Sequence, residues 1–236
     1  MFFNPTYLLF MIPPLLLSLW ASWRTRSAFN KYSKVRTLSG LTGAQAAKRL
    51  LDAAGIRDVE IVPTRGTLSD HYNPVTKKLA LSEPVYGAPS VAAVGVACHE
   101  AGHAIQHAHH YAPLWLRSLL VPTANIGSKL GYFVMLGGLM LMYMGSGPFG
   151  QKIVLLGAVL FSAVLLFQVV TLPVEFDASS RAKRLAVEHG IILEQERAGM
   201  NAVLNAAALT YVAAAVSTLM TLLYFLLRSG LLGGRR

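Results

Sequence analysis

Four apolar stretches, each close to the length that crosses a bilayer, restrict the fold of this chain more than any other feature. A spanning helix needs about 20 mostly apolar residues. Such runs occupy residues 7–23, 130–144 (with a backward extension toward Leu119), 153–173 and 202–227. Backbone groups in lipid must be satisfied within their own segment, so the runs predict helices. A mainly α, polytopic membrane protein with about four transmembrane helices is therefore expected. Composition agrees, with 54% hydrophobic and only 14% charged residues. Pro13-Pro14 predicts a kink in the first run. Asn125 and Lys129 blur the start of the second.

The basic residues Arg24, Arg26, Lys31, Lys34 and Arg36 follow the first run instead of preceding it, which argues against a cleaved signal peptide. Positive charge stays on the cytoplasmic side, so the amino terminus is expected outside and the segment after Trp23 inside. Four spans return residues 178–199 to the inside, where Arg181, Lys183, Arg184 and Arg197 fit the same rule. The connection 145–150 falls outside and carries no charge. The net charge of +10 is explained by juxtamembrane Lys and Arg, which also attract anionic lipid headgroups. No aromatic-basic pattern points to nucleic acid. The spans hold little that is ionisable beyond Lys129, which disfavours a transporter or channel. Cys98 is the only cysteine; no intrachain disulfide is possible, which suits a cytoplasmic domain. It reads as a small buried thiol.

Between the first and second spans lies a polar insertion. Residues 41–55 read as a helix, with Thr42 as N-cap, Gln45 completing a capping box and Gly55 as the stop. Short strands are expected at 59–62, 67–72 and 77–82, the last two flanking a turn at Asn73-Pro74. Pro84 and Pro89 break the chain before an Ala- and Val-rich, proline-free run from Val91 to His110 that predicts a buried helix.

That helix carries HEAGH, residues 99–103. Side chains four apart share a helix face, so His99 and His103 can offer two imidazoles to one ion. Glu100 follows the first ligand, where its carboxylate can take a proton from an activated water. This is the H-E-x-x-H arrangement of zinc peptidases. A carboxylate in apolar surroundings is costly unless paired or beside a metal.

A catalytic zinc usually has three protein ligands and a water, and the third must come from elsewhere. His107 lies about 12 Å along the helix from His99, too far to share one ion. His109 stands where metzincins place a third histidine, but the turning glycine of that pattern is replaced by Gln106, so a continuing helix would aim His109 elsewhere. Glu175, in LPVEFDAS at the end of the third span, is the better choice. A carboxylate closing an apolar run is expensive without a cation, and it reaches the membrane boundary on the side of the motif helix. Asp177, two residues on, would face away. His71, Tyr72 and Arg181 are candidates by type for stabilising an oxyanion. The short hairpin before the motif helix could pair with an extended substrate.

LSDHYNP, AVGVACHEAGHAIQH and LPVEFDAS together resemble the bacterial YugP-like neutral zinc metallopeptidases, a family of membrane-embedded gluzincin-type enzymes. The resemblance covers most of the chain and the order of its spans. It implies one Zn2+ held by His99, His103 and Glu175, with Glu100 as catalytic base, in an enzyme of the bacterial cytoplasmic membrane. The more distant HtpX-like and CAAX-prenyl-protease group has E-x-x-x-D at the later motif, whereas here Ser179 stands four after Glu175. Which of Asp177 or Ser179 supports a zinc ligand from behind stays open.

The expected organisation is transmembrane helix 1 at 1–23, then a cytoplasmic α+β, zincin-like catalytic region at 24–117. Transmembrane helices 2 and 3 follow at 118–174. A cytoplasmic segment with the third ligand occupies 175–201, and transmembrane helix 4 with a C-terminal tail occupies 202–236. The expected function is a multi-pass zinc endopeptidase that hydrolyses protein or peptide substrates near the cytoplasmic membrane surface. The alternative is an inactive zinc-binding scaffold or adaptor, against which the intact Glu100 argues. Substrate identity and oligomeric state are not readable from these residues.

Overall fold

The computed structural model describes residues 5–232; the ends of the chain, including the last residues of the expected tail, lie outside the described residues. In chain order the elements are α1 (Pro5–Tyr32), α2 (Gly43–Ala53), β1 (Glu60–Thr64), β2 (His71–Asn73), β3 (Lys78–Ser82), α3 (Glu83–Tyr86) and α4 (Val91–Ala108). They continue with α5 (Ala112–Ile126), a π-helical turn (Gly127–Gly131), α6 (Tyr132–Tyr143), α7 (Gly147–Glu188), a short 3-10 turn (Glu194–Glu196) and α8 (Arg197–Arg228). The protein is mainly helical with one small sheet.

Among the described residues, four helical stretches are long and apolar enough to cross a membrane: Pro5–Tyr32, Ala112–Tyr143, Gly147–Glu188 and Glu194–Arg228. Each coincides with one expected run and extends beyond it, except that the second ends at Tyr143, one residue short of the expected 144. Leu9, Leu15, Leu16, Phe133, Phe149, Leu156 and Val159 are exposed on these helices, a surface suited to lipid rather than water. α1 stays helical through Pro13 and Pro14.

The chain divides into two compact units. One comprises the described residues up to Trp20, Leu116–Leu172 and the described residues from Tyr211. Its core gathers Met135, Leu139, Val154, Phe161, Tyr224 and Phe225. The Tyr224 ring meets Tyr7 edge-on, with centroids 5.3 Å apart. α6 and α7 touch backbone to backbone here, since a Cβ on Gly138 would lie 2.6 Å from the Val154 nitrogen.

The second unit comprises Ala21–Trp115 and Pro173–Thr210. α2 opens with the expected capping box: the Gln45 amide donates to Thr42 Oγ1 at 3.3 Å, and the Thr42 amide donates to Gln45 Oε1 at 3.0 Å. Gly55 follows at φ +74°, a left-handed conformation that ends the helix cheaply only with glycine. The sheet order is β1-β3-β2, with β1 parallel and β2 antiparallel to β3. The expected hairpin is thus joined by a parallel third strand. The strand expected at 67–72 begins only at His71, because Leu68 adopts φ 58° and the Ser69 hydroxyl folds back onto the Arg65 carbonyl at 3.0 Å.

α4 starts at Ser90, whose side chain accepts from the Ala93 amide, and is buried along most of its length. Leu50, Leu51, Leu79, Leu81, Val94 and Ile105 form the core with Ala182, Ile191 and Met200. Ala, Cys98 and Gly on α4 let its neighbours approach closely. A Cβ on Gly102 would stand 2.7 Å from the Ala178 carbonyl oxygen of α7. Gly102→Ala must push these backbones apart, an overpacking cost of about 1–3 kcal/mol. A lowered midpoint in denaturant titration of the detergent-solubilised protein is expected; an unchanged midpoint would contradict so close a contact.

Candidate metal centre

His99 and His103 sit one turn apart on the same face of α4, with ring centroids 4.7 Å apart and planes crossed at 81°. The segment of α7 that packs over Gly102 brings Glu175 to them. Its Oε2 lies 3.2 Å from His99 Nε2 and 3.6 Å from His103 Nε2. The ligand atoms of the three residues all lie within 4.8 Å of one another. Glu175 is 2% exposed and His103 7%. Two segments separated by 76 residues therefore converge on one point.

Each imidazole is held from behind. His99 Nδ1 lies 3.1 Å from the Ser179 hydroxyl. His103 Nδ1 lies 2.9 Å from Oε1 of Gln106, a fully buried side chain. The Gln106 amide group donates in turn to the Val174 carbonyl and to Asp177 Oδ2, each at 2.8 Å. Asp177 also accepts from Arg181 Nε at 2.6 Å. Asp177 turns away from the imidazole pair, as its position predicts, and reaches Gln106 instead. Sequence reasoning missed Gln106. Its only signal was a third polar side chain on the face of α4 that carries His99 and His103.

Glu100, 8% exposed, makes no side-chain hydrogen bond or ion pair with another described residue. His107 stays apart from the cluster and accepts or donates at Nδ1 to the Tyr72 hydroxyl, 2.8 Å away. Burial, aided by the charge of Asp58, pushes that hydroxyl up to about 12. The expected continuation of α4 through His109 does not occur: the helix ends at Ala108, and His110 takes φ 52°. His109 nevertheless lies outside the cluster, with its Nδ1 3.5 Å from Arg181 Nη1. His71 is exposed on β2, its Nδ1 2.8 Å from the Ser69 carbonyl. Cys98 is fully buried, and burial pushes its thiol up to about 12.

Residues 7–230 match the model of a family described as "Putative neutral zinc metallopeptidase". The chain belongs to this family. A protein of Bacillus subtilis (strain 168), named "Putative membrane protease YugP", is 48% identical over 221 residues, covering 94% of this chain and 95% of that protein. No solved structure gives a significant match.

Membership in a zinc peptidase family implies Zn2+, and the geometry can be tested against that ion. Two ligand atoms on a tetrahedral zinc with bonds of about 2.1 Å stand about 3.4 Å apart. The separations of 3.2 and 3.6 Å bracket this value. Two nitrogens and one oxygen, all near-buried and oriented through their far atoms, form the donor set of a catalytic zinc with one position left for water or substrate. His99, His103 and Glu175 therefore fit the ion.

Burial opposes a proton on His103, yet the hydrogen bond with Glu175 and the charges of Glu100 and Glu175 outweigh it and raise its affinity for protons above the ordinary 6.5. Zinc needs the neutral imidazole, so proton and metal compete. As pH falls, the proton wins: zinc retention is expected to weaken by about tenfold per pH unit for each proton taken up. The decline starts on the alkaline side of 6.5. Chelator competition across pH 5.5–8.5 (roughly the range where histidines titrate) checks this; a flat profile contradicts it.

Proposed function

We propose that this chain is a membrane-embedded, zinc-dependent endopeptidase of the gluzincin type, with its site facing the cytoplasm near the membrane surface. The observation that carries the reading is the meeting of His99, His103 and Glu175 within 4.8 Å, beside a near-buried Glu100. Zinc, when bound, supplies Lewis-acid polarisation of a peptide carbonyl and lowers the pKa of water to about 7.

The residues then divide the remaining work. His99, His103 and Glu175 are the ligands. Glu100 accepts a proton from the attacking water and delivers it to the amine that leaves, so the proton count closes within one turnover. β2, an edge strand packed against α4 through Tyr72 and His107, is suited to pair with an extended peptide backbone. Pairing through backbone groups at an edge tolerates many sequences, which favours protein or peptide substrates over a single small molecule.

Orientation rests on charge. Arg24, Arg26, Lys31, Arg36, Arg181, Lys183 and Arg184 all belong to the unit that carries the site, as the positive-inside rule requires of a cytoplasmic segment. The charge pattern supports reading the protein as a multi-pass component of the bacterial cytoplasmic membrane, with the α+β unit as its zincin-like domain.

Glu100→Gln is expected to keep stoichiometric zinc while losing at least about a hundredfold in peptide hydrolysis, the contribution of a general base. Glu175→Ala is expected to lose zinc itself. Metal analysis beside a fluorogenic-peptide assay separates these outcomes. Wild-type turnover by Glu100→Gln would remove Glu100 from the mechanism; full zinc without turnover in the wild type would favour the scaffold alternative.

A further inference from the structure

Gln106 is fully buried and touches three groups that leave it one orientation. The Val174 carbonyl and the Asp177 carboxylate are both acceptors, and both lie 2.8 Å from the same Gln106 atom. Only the amide NH2 can satisfy two acceptors. The carbonyl oxygen must then face His103 Nδ1, 2.9 Å away, and an oxygen there can only accept. His103 therefore carries its proton on Nδ1, which leaves the Nε2 lone pair directed at the point shared with Glu175. Arg181 holds Asp177 from the far side at 2.6 Å. His99 is treated differently: the Ser179 hydroxyl at its Nδ1 can donate or accept, so it steadies the ring without choosing its tautomer.

We propose that Gln106 is a positioning residue for His103, an amide relay through which Asp177 and the Val174 carbonyl select the metal-binding tautomer. This rests on His99, His103 and Glu175 forming the zinc site. The relay places a neutral carboxamide, instead of the usual carboxylate, behind a ligand whose surroundings already hold Glu100 and Glu175. A further buried anion at that position would face Asp177 directly, at the cost of like-charge repulsion.

The test uses the full-length chain in detergent, with Zn2+ and Co2+ as probes. Loss of a group that orients a metal ligand costs about 10–100-fold in metal affinity. Gln106→Met, of similar length but unable to hydrogen-bond through an amide, is expected to weaken Zn2+ by that factor in chelator competition. The visible absorption of the Co2+ form is expected to shift or broaden. Gln106→Glu is expected to weaken Zn2+ as well, because its carboxylate meets both Asp177 and the Val174 carbonyl, two acceptors. Adding Asp177→Asn supplies a donor to that carboxylate and is expected to restore part of the affinity and shift the Co2+ spectrum back toward wild type, the Val174 carbonyl remaining opposed.

Gln106→Met with wild-type Zn2+ affinity and an unaltered Co2+ spectrum would overturn the relay while leaving the zinc site intact. If Gln106→Met does not fold, the Gln106→Glu pair decides: no recovery on adding Asp177→Asn overturns the relay. A wild-type chain that takes up neither ion overturns the zinc site itself, and the relay with it.

Discussion

A carboxylate with 2% exposure, on a helix whose preceding turns are almost wholly apolar, must find favourable partners or the fold loses several kcal/mol. Glu175 finds them in two imidazoles of α4. Much of the second unit can be understood as meeting that requirement. Gly102 is bare so that α7 can approach to backbone contact. Ser179 and Gln106 occupy the outer nitrogens of the two rings, so both inner nitrogens remain available to the acid. Cys98 and the alanines of α4 keep the helix slim while Leu50, Leu79 and Ile105 fill the space behind it. Replacing the two imidazoles would strip this near-buried charge of the two partners described above, which is why the pair and the acid belong together.

The parts legible in the sequence were those governed by local rules. Apolar run length located four long helices. Thr42 and Gln45 marked the start of α2 because a capping box is complete within four residues, and Asn73-Pro74 marked the hairpin turn. The spacing of His99 and His103 specified a shared face. Glu175 stood out because a carboxylate closing an apolar run is energetically conspicuous. What stayed hidden depended on distant partners. β1 pairs in parallel with β3, a choice no local pattern expresses. Helix α7 continues past Pro173 to Glu188, since packing supports the turns beyond the proline. Gln106 was unreadable because its meaning lies in Val174 and Asp177, about 70 positions on.

The departure at Ser179 also gains a physical content. Where an E-x-x-x-D pattern would put an aspartate, this chain presents a hydroxyl to His99 Nδ1. A carboxylate there would add a charge to a pocket already holding Glu100 and Glu175. The chain instead keeps its negative charge two residues away, on Asp177, paired with Arg181 and communicated to His103 through an uncharged amide. Both rings are thus oriented by neutral groups, and the anionic character of the pocket is confined to the residues proposed to meet the ion and the water.

The 76-residue interval between His99 and Glu175 has a consequence for biosynthesis. Translation at about 5–20 residues per second exposes the histidine pair seconds before the acid exists. A ribosome-bound chain at that stage owns two donors and lacks the third. If the ion is held as proposed, hydrolytic power is withheld until α7 has been made and packed, and the growing polypeptide is shielded from its own chemistry by nothing more than the order of its codons.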